Sequence, residues 1–257
     1  MAKPEKRLAA LVVELNGSPG LERRAQIADE ILEITRRTYD AVAESFERQR
    51  TRSLSEWDRR SWEMVLSEAR RRVAQNRPIA ILDVGTAFGR DLEYASKISD
   101  LTILGIENSD SFLKRLLLRE QRGEIPLGAF RAMDARDLSP LADESFYVVR
   151  HNASLVHMPL IGRGFTIDLA LAESWRVLAP EGVLFVSLKE GTGLKVQRST
   201  EGLGDFAFQY YTSALAEAVI QRNGFRILDL GRRPSSRGGD VVWITVLAEK
   251  AANQERR

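Results

Sequence analysis

The stretch Ile81-Leu82-Asp83-Val84-Gly85-Thr86-Ala87-Phe88-Gly89-Arg90-Asp91 decides the fold. An apolar run of strand length ends in an acid, and a turn punctuated by Gly85 and Gly89 follows at once. After a helix-length interval, Leu104-Gly105-Ile106-Glu107-Asn108-Ser109 repeats the plan, with a second apolar run ending in a second acid. Continuous apolar runs of this kind belong to strands buried on both faces. Two of them, joined by a glycine turn and a helix, build the nucleoside-binding edge of a parallel α/β sheet. Gly85 and Gly89 are expected to let the backbone approach a ligand that a Cβ would block.

Working outward, the 257 residues accommodate one α/β domain with appendages or two small domains. Lys and Arg number 38 against 36 Asp and Glu, a net charge of +2, so the composition does not demand a nucleic-acid partner. Arg70-Arg71-Arg72 and Arg232-Arg233 read as a solvated helix face and a solvated loop. Without cysteine there are no disulfides, thiolate metal sites or cysteine nucleophiles. His151 and His157 are the only histidines, and no metal is expected. No run approaches the roughly 18 apolar residues of a membrane span. The first residues lack a signal-type apolar stretch, which makes the cytoplasm the expected compartment.

Four helices are expected before the first strand. Leu8, Leu11, Val12 and Leu15 share a face over residues 5–15, with Asn16-Gly17 as a stop. Ser18-Pro19 predicts an N-cap and first-turn proline for a second helix carrying Ile27, Ile31 and Ile34. A third begins near Thr38 and includes Tyr39, Val42 and Phe46. Ser53-Leu54-Ser55-Glu56 fits a capping box for a fourth, whose buried face holds Trp62, Val65, Leu66, Ala69 and Val73. The expected division is a helical extension or cap over residues 1–75 and a core over residues 76–257.

From residue 79 the period changes. Ile79–Val84, Leu101–Ile106 and Val183–Leu188 read as strong strands, Leu127–Met133 and Phe146–Arg150 as weaker ones. Helices are expected over Phe165–Leu178, stopped by Pro180-Glu181-Gly182, and over Ala214–Arg222. Phe225–Leu230 and Val241–Ala248 are joined by Gly231–Asp240 with no room for a crossover helix, so they must pair antiparallel. The expected fold is α/β: a Rossmann-like, seven-stranded, mostly parallel sheet with a C-terminal antiparallel hairpin, helices on both faces and extra N-terminal helices. The closing hairpin argues against a nicotinamide dehydrogenase.

Asp83 stands two residues before Gly85, where its carboxylate would repel a pyrophosphate but suit the ammonium of an amino acid. Glu107 can accept both hydroxyls of a ribose, and Asp134 can accept from an adenine amine. These groups describe a ligand with an amino-acid end, a ribose and an adenine. S-adenosylmethionine (SAM) has those parts.

The sequence resembles the class I SAM-dependent methyltransferases from about residue 38 to 249. The resemblance is carried by ILDVGTAFGRD, GIENSD, Ala132-Met133-Asp134-Ala135-Arg136-Asp137-Leu138, SFYVVRHNASLVHMP, Arg176-Val177-Leu178-Ala179-Pro180-Glu181-Gly182 and the terminal hairpin. It implies that Asp83, Gly85, Thr86, Ala87, Gly89 and Arg90 surround the methionine end of the cofactor. Glu107 and Asn108 would hold the ribose, Met133, Asp134 and Ala135 would flank the adenine, and Asn152 would lie beside the methionine moiety. Two departures stand out: Ala87 replaces the usual middle glycine of the turn, and Tyr147 replaces an aspartate common after the fourth strand's aromatic.

The activity implied is methyl transfer by in-line displacement to a small-molecule or natural-product acceptor through N, O or C. His157 is the leading candidate base, against a packed structural role, and His151 is read mainly as packing. Tyr39, in a Tyr-Asp-x-x-Ala segment, is a candidate for contact with the sulfonium, against a plain core role. A lid over the substrate is expected from the N-terminal helices and residues Glu190–Tyr211. The N-terminal helices are also candidates for pairing two subunits as a homodimer. No membrane partner is expected. The alternatives are an RNA methyltransferase, with both arginine clusters on the cleft's face, and a non-catalytic partner protein of the same fold.

Overall fold

A computed structural model describes residues 4–50, 53–74, 77–235 and 240–251. The expected boundary between residues 75 and 76 lies outside the described residues. Among the described residues three helices, not four, precede the sheet: α1 (Pro4–Asn16), α2 (Leu21–Gln49) and α3 (Glu56–Arg72). The expected second and third helices are one 29-residue rod, about 43 Å long. Thr35 and Thr38 continue the buried stripe of Ile27, Ile31 and Val42 across the supposed break. Its N-cap is Gly20, without a side-chain bond, so Ser18 does not cap it. The capping box of α3 pairs Ser55 with Asp58 rather than Ser53 with Glu56.

The sheet holds β1 (Ile79–Val84), β2 (Leu101–Glu107), β3 (Phe130–Ala132), β4 (Phe146–Asn152), β5 (Leu178–Glu190), β6 (Gly193–Arg198), β7 (Asp205–Tyr211), β8 (Phe225–Pro234) and β9 (Val242–Lys250). The expected seven strands run β3-β2-β1-β4-β5-β9-β8, and β6 and β7 bring the total to nine. β1 pairs in parallel with β2 (Ile81 opposite Ile103) and with β4 (Ile81 opposite Val148). β9 runs antiparallel to β5 and β8, as the short connection requires. The helix before β5 ends at Val177, ahead of Pro180-Glu181-Gly182 as expected, and those three residues lie within β5, entered directly from it.

β4 ends with Asn152 opposite Ser187, and the next residues of β5, Lys189 and Glu190, pair with Tyr210 and Tyr211 of β7. The β6–β7 hairpin therefore extends the sheet beyond the C-terminal end of β4. Residues 190–211, expected as part of a lid, are this hairpin.

Helices α4 (Arg90–Ala95), α5 (Asp110–Gln121), α6 (Ile167–Val177) and α7 (Ser213–Arg222) complete the chain, with a 3-10 turn at Leu155–His157. Leu82 and Val84 pack with Leu171 and Val219 on one face, while Ile79 and Ile81 pack with Trp62 and Val65 on the other. A third cluster joins Leu8, Leu11, Leu15, Ile27 and Ile31 to Leu194 and Ala207 of the hairpin. The apolar face of α1 is thus buried within its own chain. Among the described residues no helix is long and apolar enough to cross a membrane.

Candidate active site

The strands β1, β2 and β4 end at a cleft of about 1310 Å³, mouth included, and α2 crosses over it. Every expected binding residue from Asp83 to Asn152 except Gly89 lines this cleft, together with Tyr39 and His157. From the roof come Leu32, Thr35, Arg36, Phe46 and Arg50.

Backbone conformation and close neighbours shape the glycine turn. Gly85 and Gly89 take φ of +76° and +80°, which side chains rarely adopt. A Cβ on Gly85 would stand 2.8 Å from Ser154 Cβ, and one on Gly89 would stand 2.6 Å from Leu116. Backbone twist and protein packing therefore require these glycines. Ala87 sits in the left-handed region as well, at φ 51°. Arg119 donates to the Phe88 carbonyl at 2.8 Å and pins the turn from behind.

Asp83 is buried and faces Arg150, whose Nη1 lies 3.2 Å from it and 2.9 Å from Asp91. Its carboxylate thus has a protein cation beside it while also lining the cleft. Burial, with Asp91 alongside, pushes Asp83 up to about 6 against the pull of Arg150. Burial also opposes ionisation of Asp91, but Arg150 and Arg90 outweigh it and hold that carboxyl below its ordinary value. Trp62 donates to Asp91 at 2.8 Å, and its ring lies 4.5 Å from the Arg150 guanidinium. Arg90 reaches Asp58 of α3 at 3.1 Å, so this cluster ties the turn to α3.

Glu107 is the keystone between the turn and β2. One oxygen accepts from the Ala87 amide at 2.8 Å, the other from the amides of Asn108 and Ser109 at 2.9 Å each. Burial raises its pKa while those amides oppose the shift. Asp134 accepts from Nε and Nη2 of the Arg136 guanidinium and from its amide, and Arg136 also reaches Asp29 of α2. Burial opposes that charge, yet Arg136 holds Asp134 below its ordinary value. Asn152 accepts from Ser187 at 3.0 Å.

His157 and Tyr39 meet: Tyr39 Oη lies 2.7 Å from His157 Nε2, while Nδ1 of the same ring lies 2.9 Å from the Ala207 carbonyl. Burial pushes His157 down to about 4. Phe46, Phe112 and Phe206 surround the Tyr39 ring. His151 lies away from the cleft lining, fully buried between Ser154 and Ser174, and burial pushes it down to about 3. Its role is packing.

Arg150, Asp91 and Asp40 were not anticipated as site residues. A charged residue amid Val148-Val149-Arg150 on a buried strand was the available signal for the first.

Residues 82–186 match a family described as a methyltransferase domain. No curated protein matches the chain by sequence. Among solved structures, the [4+2]-cyclase SpnF is 18% identical with a TM-score of 0.62, covering 87% of this chain and 97% of its own. The 1,6-didemethyltoxoflavin-N1-methyltransferase of Burkholderia thailandensis, crystallised with its substrate and S-adenosylhomocysteine, is 18% identical with a TM-score of 0.54, covering 98% and 92%. A SAM-dependent methyltransferase of Methanosarcina mazei is 19% identical with a TM-score of 0.55, covering 69% and 95%. With the sheet order and the closing hairpin, the match over residues 82–186 makes the chain similar in fold to class I SAM-dependent methyltransferases.

Proposed function

We propose that this protein transfers a methyl group from SAM to a small-molecule acceptor enclosed beneath α2. The observation that carries the reading is the roof. A long helix lays Leu32, Tyr39 and Phe46 over the cleft, and Phe88 and Phe112 face them from the core. Such a roofed, largely apolar space suits a small molecule better than a polymer.

The residues present fit the cofactor. Gly85, Glu107 and Asn108 line the cleft at the ends of β1 and β2, and Met133 and Ala135 offer an apolar flank. The turn and Asn152 would hold the amino-acid portion, Glu107 and Asn108 the ribose, and Met133–Ala135 the adenine. Bound SAM supplies an electrophilic methyl group on a sulfonium. The chain's own work is to align the acceptor with that methyl and to exclude water, and alignment of this kind supplies on the order of 7–11 kcal/mol.

An RNA substrate is not favoured. Arg70 pairs with Asp100, before the start of β2, and so lies at the edge of the sheet opposite the cleft. Arg71 and Arg72 pair with Glu68. A second reading, a protein that uses this fold without transferring methyl, draws support from the likeness to a cyclase.

Calorimetry with SAM and with S-adenosylhomocysteine tests the proposal, followed by incubation with methyl-labelled SAM and candidate acceptors. Binding of both with label transfer is expected. Absence of binding by either overturns the reading, and binding without transfer to any acceptor favours the second.

A further inference from the structure

Neighbouring strands bring one row of side chains together beyond the end of β4. Lys189 of β5 lies opposite Tyr210 of β7 on one side and Trp243 of β9 on the other, and Trp243 lies opposite Arg233 of β8. Residues paired in this way share a face of the sheet. Lys189 follows Phe185 at an even spacing, so this is the face on which Phe185 packs with Trp62 of α3. Arg233, expected in a solvated loop, is half-buried on a strand.

Cations stand on aromatic rings along the row. The Lys189 ammonium lies 3.2 Å from the centre of the Phe208 ring, and Lys195, opposite Phe208 on β6, lies 4.9 Å from that of Tyr210. The Arg233 guanidinium lies 4.1 Å from the ring of Trp57, in the first turn of α3, and 5.8 Å from that of Trp243. Lys189 is 8% exposed and donates to Gln197 at 3.3 Å, and among the described residues no carboxylate reaches it. Arg233 makes neither a hydrogen bond nor an ion pair among those residues, and its buried Nε and the buried indole N–H of Trp57 both lack an acceptor. Glu190, next on β5, turns to the other face and pairs with Arg232. Burial, with the Arg50 charge nearby, pushes Lys189 down to about 8. Burial pushes Arg233 down to about 10 against the pull of Asp58. The rings offset part of this desolvation, and an anion would offset more.

The row adjoins the cleft. Ser187, two residues before Lys189 on the same face, donates to Asn152 of the cleft lining. Beside Trp57, Asp58 holds Arg90, which also lines the cleft. Lys189 and Arg233 stand two strands apart, about 10 Å at the backbone. Their long side chains can therefore meet one anion above Trp243.

We infer that the methyl acceptor is a planar molecule bearing a carboxylate, its ring stacked along Trp57, Trp243 and Tyr210 and its anion paired with Lys189 and Arg233. The inference rests on the methyl-transfer reading and narrows it, because a neutral or cationic acceptor would leave both charges unmet.

Calorimetry of protein loaded with S-adenosylhomocysteine compares 2-naphthoate with 2-naphthamide, and indole-3-acetate with indole-3-acetamide. The carboxylate of each pair is expected to bind roughly 5- to 50-fold more tightly. Lys189→Gln and Arg233→Gln should each shrink that ratio and the double variant should abolish it, with affinity for S-adenosylhomocysteine unchanged. Lys189→Arg, which keeps the charge, should retain most of the preference. If the Lys189 variants fail to fold, the wild-type ratio and Arg233→Gln decide. Equal affinities in the wild type, a preference that survives the substitutions, or no binding of any of the four compounds overturns the inference. Displacement of no carboxylate but tight retention of single-stranded RNA at physiological salt would overturn it in favour of a polymer. Failure of S-adenosylhomocysteine itself to bind would instead strike the methyl-transfer reading, and the same pairs titrated into ligand-free protein would still judge the cationic row.

Discussion

The guanidinium of Arg150 lies 2.9 Å from the carboxylate of Asp91, and both are buried beneath the glycine turn. Asp83 shares the same nitrogen, so one cation on β4 balances two acids of the signature stretch. Removing it would strand buried charge. Arg150→Met is expected to cost about 3–5 kcal/mol, read as a fall in the urea midpoint with the slope unchanged. Adding Asp83→Asn and Asp91→Asn to that variant should recover much of the loss. A cost below about 1 kcal/mol for the single variant would show that the cluster does not hold the turn.

Acid sensitivity follows from the two buried histidines. Their folded pKa values, about 3 for His151 and about 4 for His157, lie below the ordinary 6.5. Their contribution is therefore present above pH 6.5 and is lost as pH falls through the window below it. Between pH 7 and 5 each loses roughly 2 kcal/mol. Asp83 acts in the opposite sense: its pKa is raised from 3.8 to about 6, so its contribution is complete below 3.8 and lost as pH rises through 6. It returns about 1 kcal/mol over the same interval. Denaturation curves at pH 7 and 5 should show a net loss of stability at pH 5, steeper in Asp83→Asn. Stability that is flat or higher at pH 5 would contradict this.

Glu107 holds three backbone amides as a carboxylate, with the turn on one oxygen and the start of α5's approach on the other. Glu107→Gln keeps the shape but turns an amide donor toward another donor. Affinity for S-adenosylhomocysteine is expected to fall roughly 10- to 100-fold, measured by calorimetry. An unchanged affinity would remove Glu107 from the proposed ribose site.

The elements that position the cleft were legible because they carry strong local signals. β1, β2 and the closing hairpin showed as apolar runs with turn residues, and Glu107 stood out as an acid ending a buried strand. The long α2 was harder to read because Thr35 and Thr38 interrupt its apolar stripe. Both are buried against β7, where Thr35 receives the Ala207 amide at 3.4 Å. The β6–β7 hairpin was obscured by its glycines, although Phe206, Phe208 and Tyr210 alternate as a strand should. Side-chain partners such as Arg150 with Asp83 are 67 positions apart, and pairing at that range depends on the assembled sheet.

The roof is latched to the cofactor edge through Asp40. Its Oδ1 accepts from the Ser109 hydroxyl at 2.6 Å and from the Ser111 amide at 3.0 Å, while the Ser109 amide is held by Glu107. Arg36 adds a bond to the same carboxylate at 2.9 Å. Asp40→Ala removes all three, at the contact between the roof helix and the cofactor edge. Hydrogen exchange in α2 is expected to accelerate roughly 10- to 100-fold around residues 35–46, with α3 unaffected. Asp40→Asn, which keeps an acceptor for Ser109, should fall between the variant and the wild type. Unchanged exchange in α2 would mean that packing of Ile27, Ile31 and Val42, rather than this latch, keeps the roof closed.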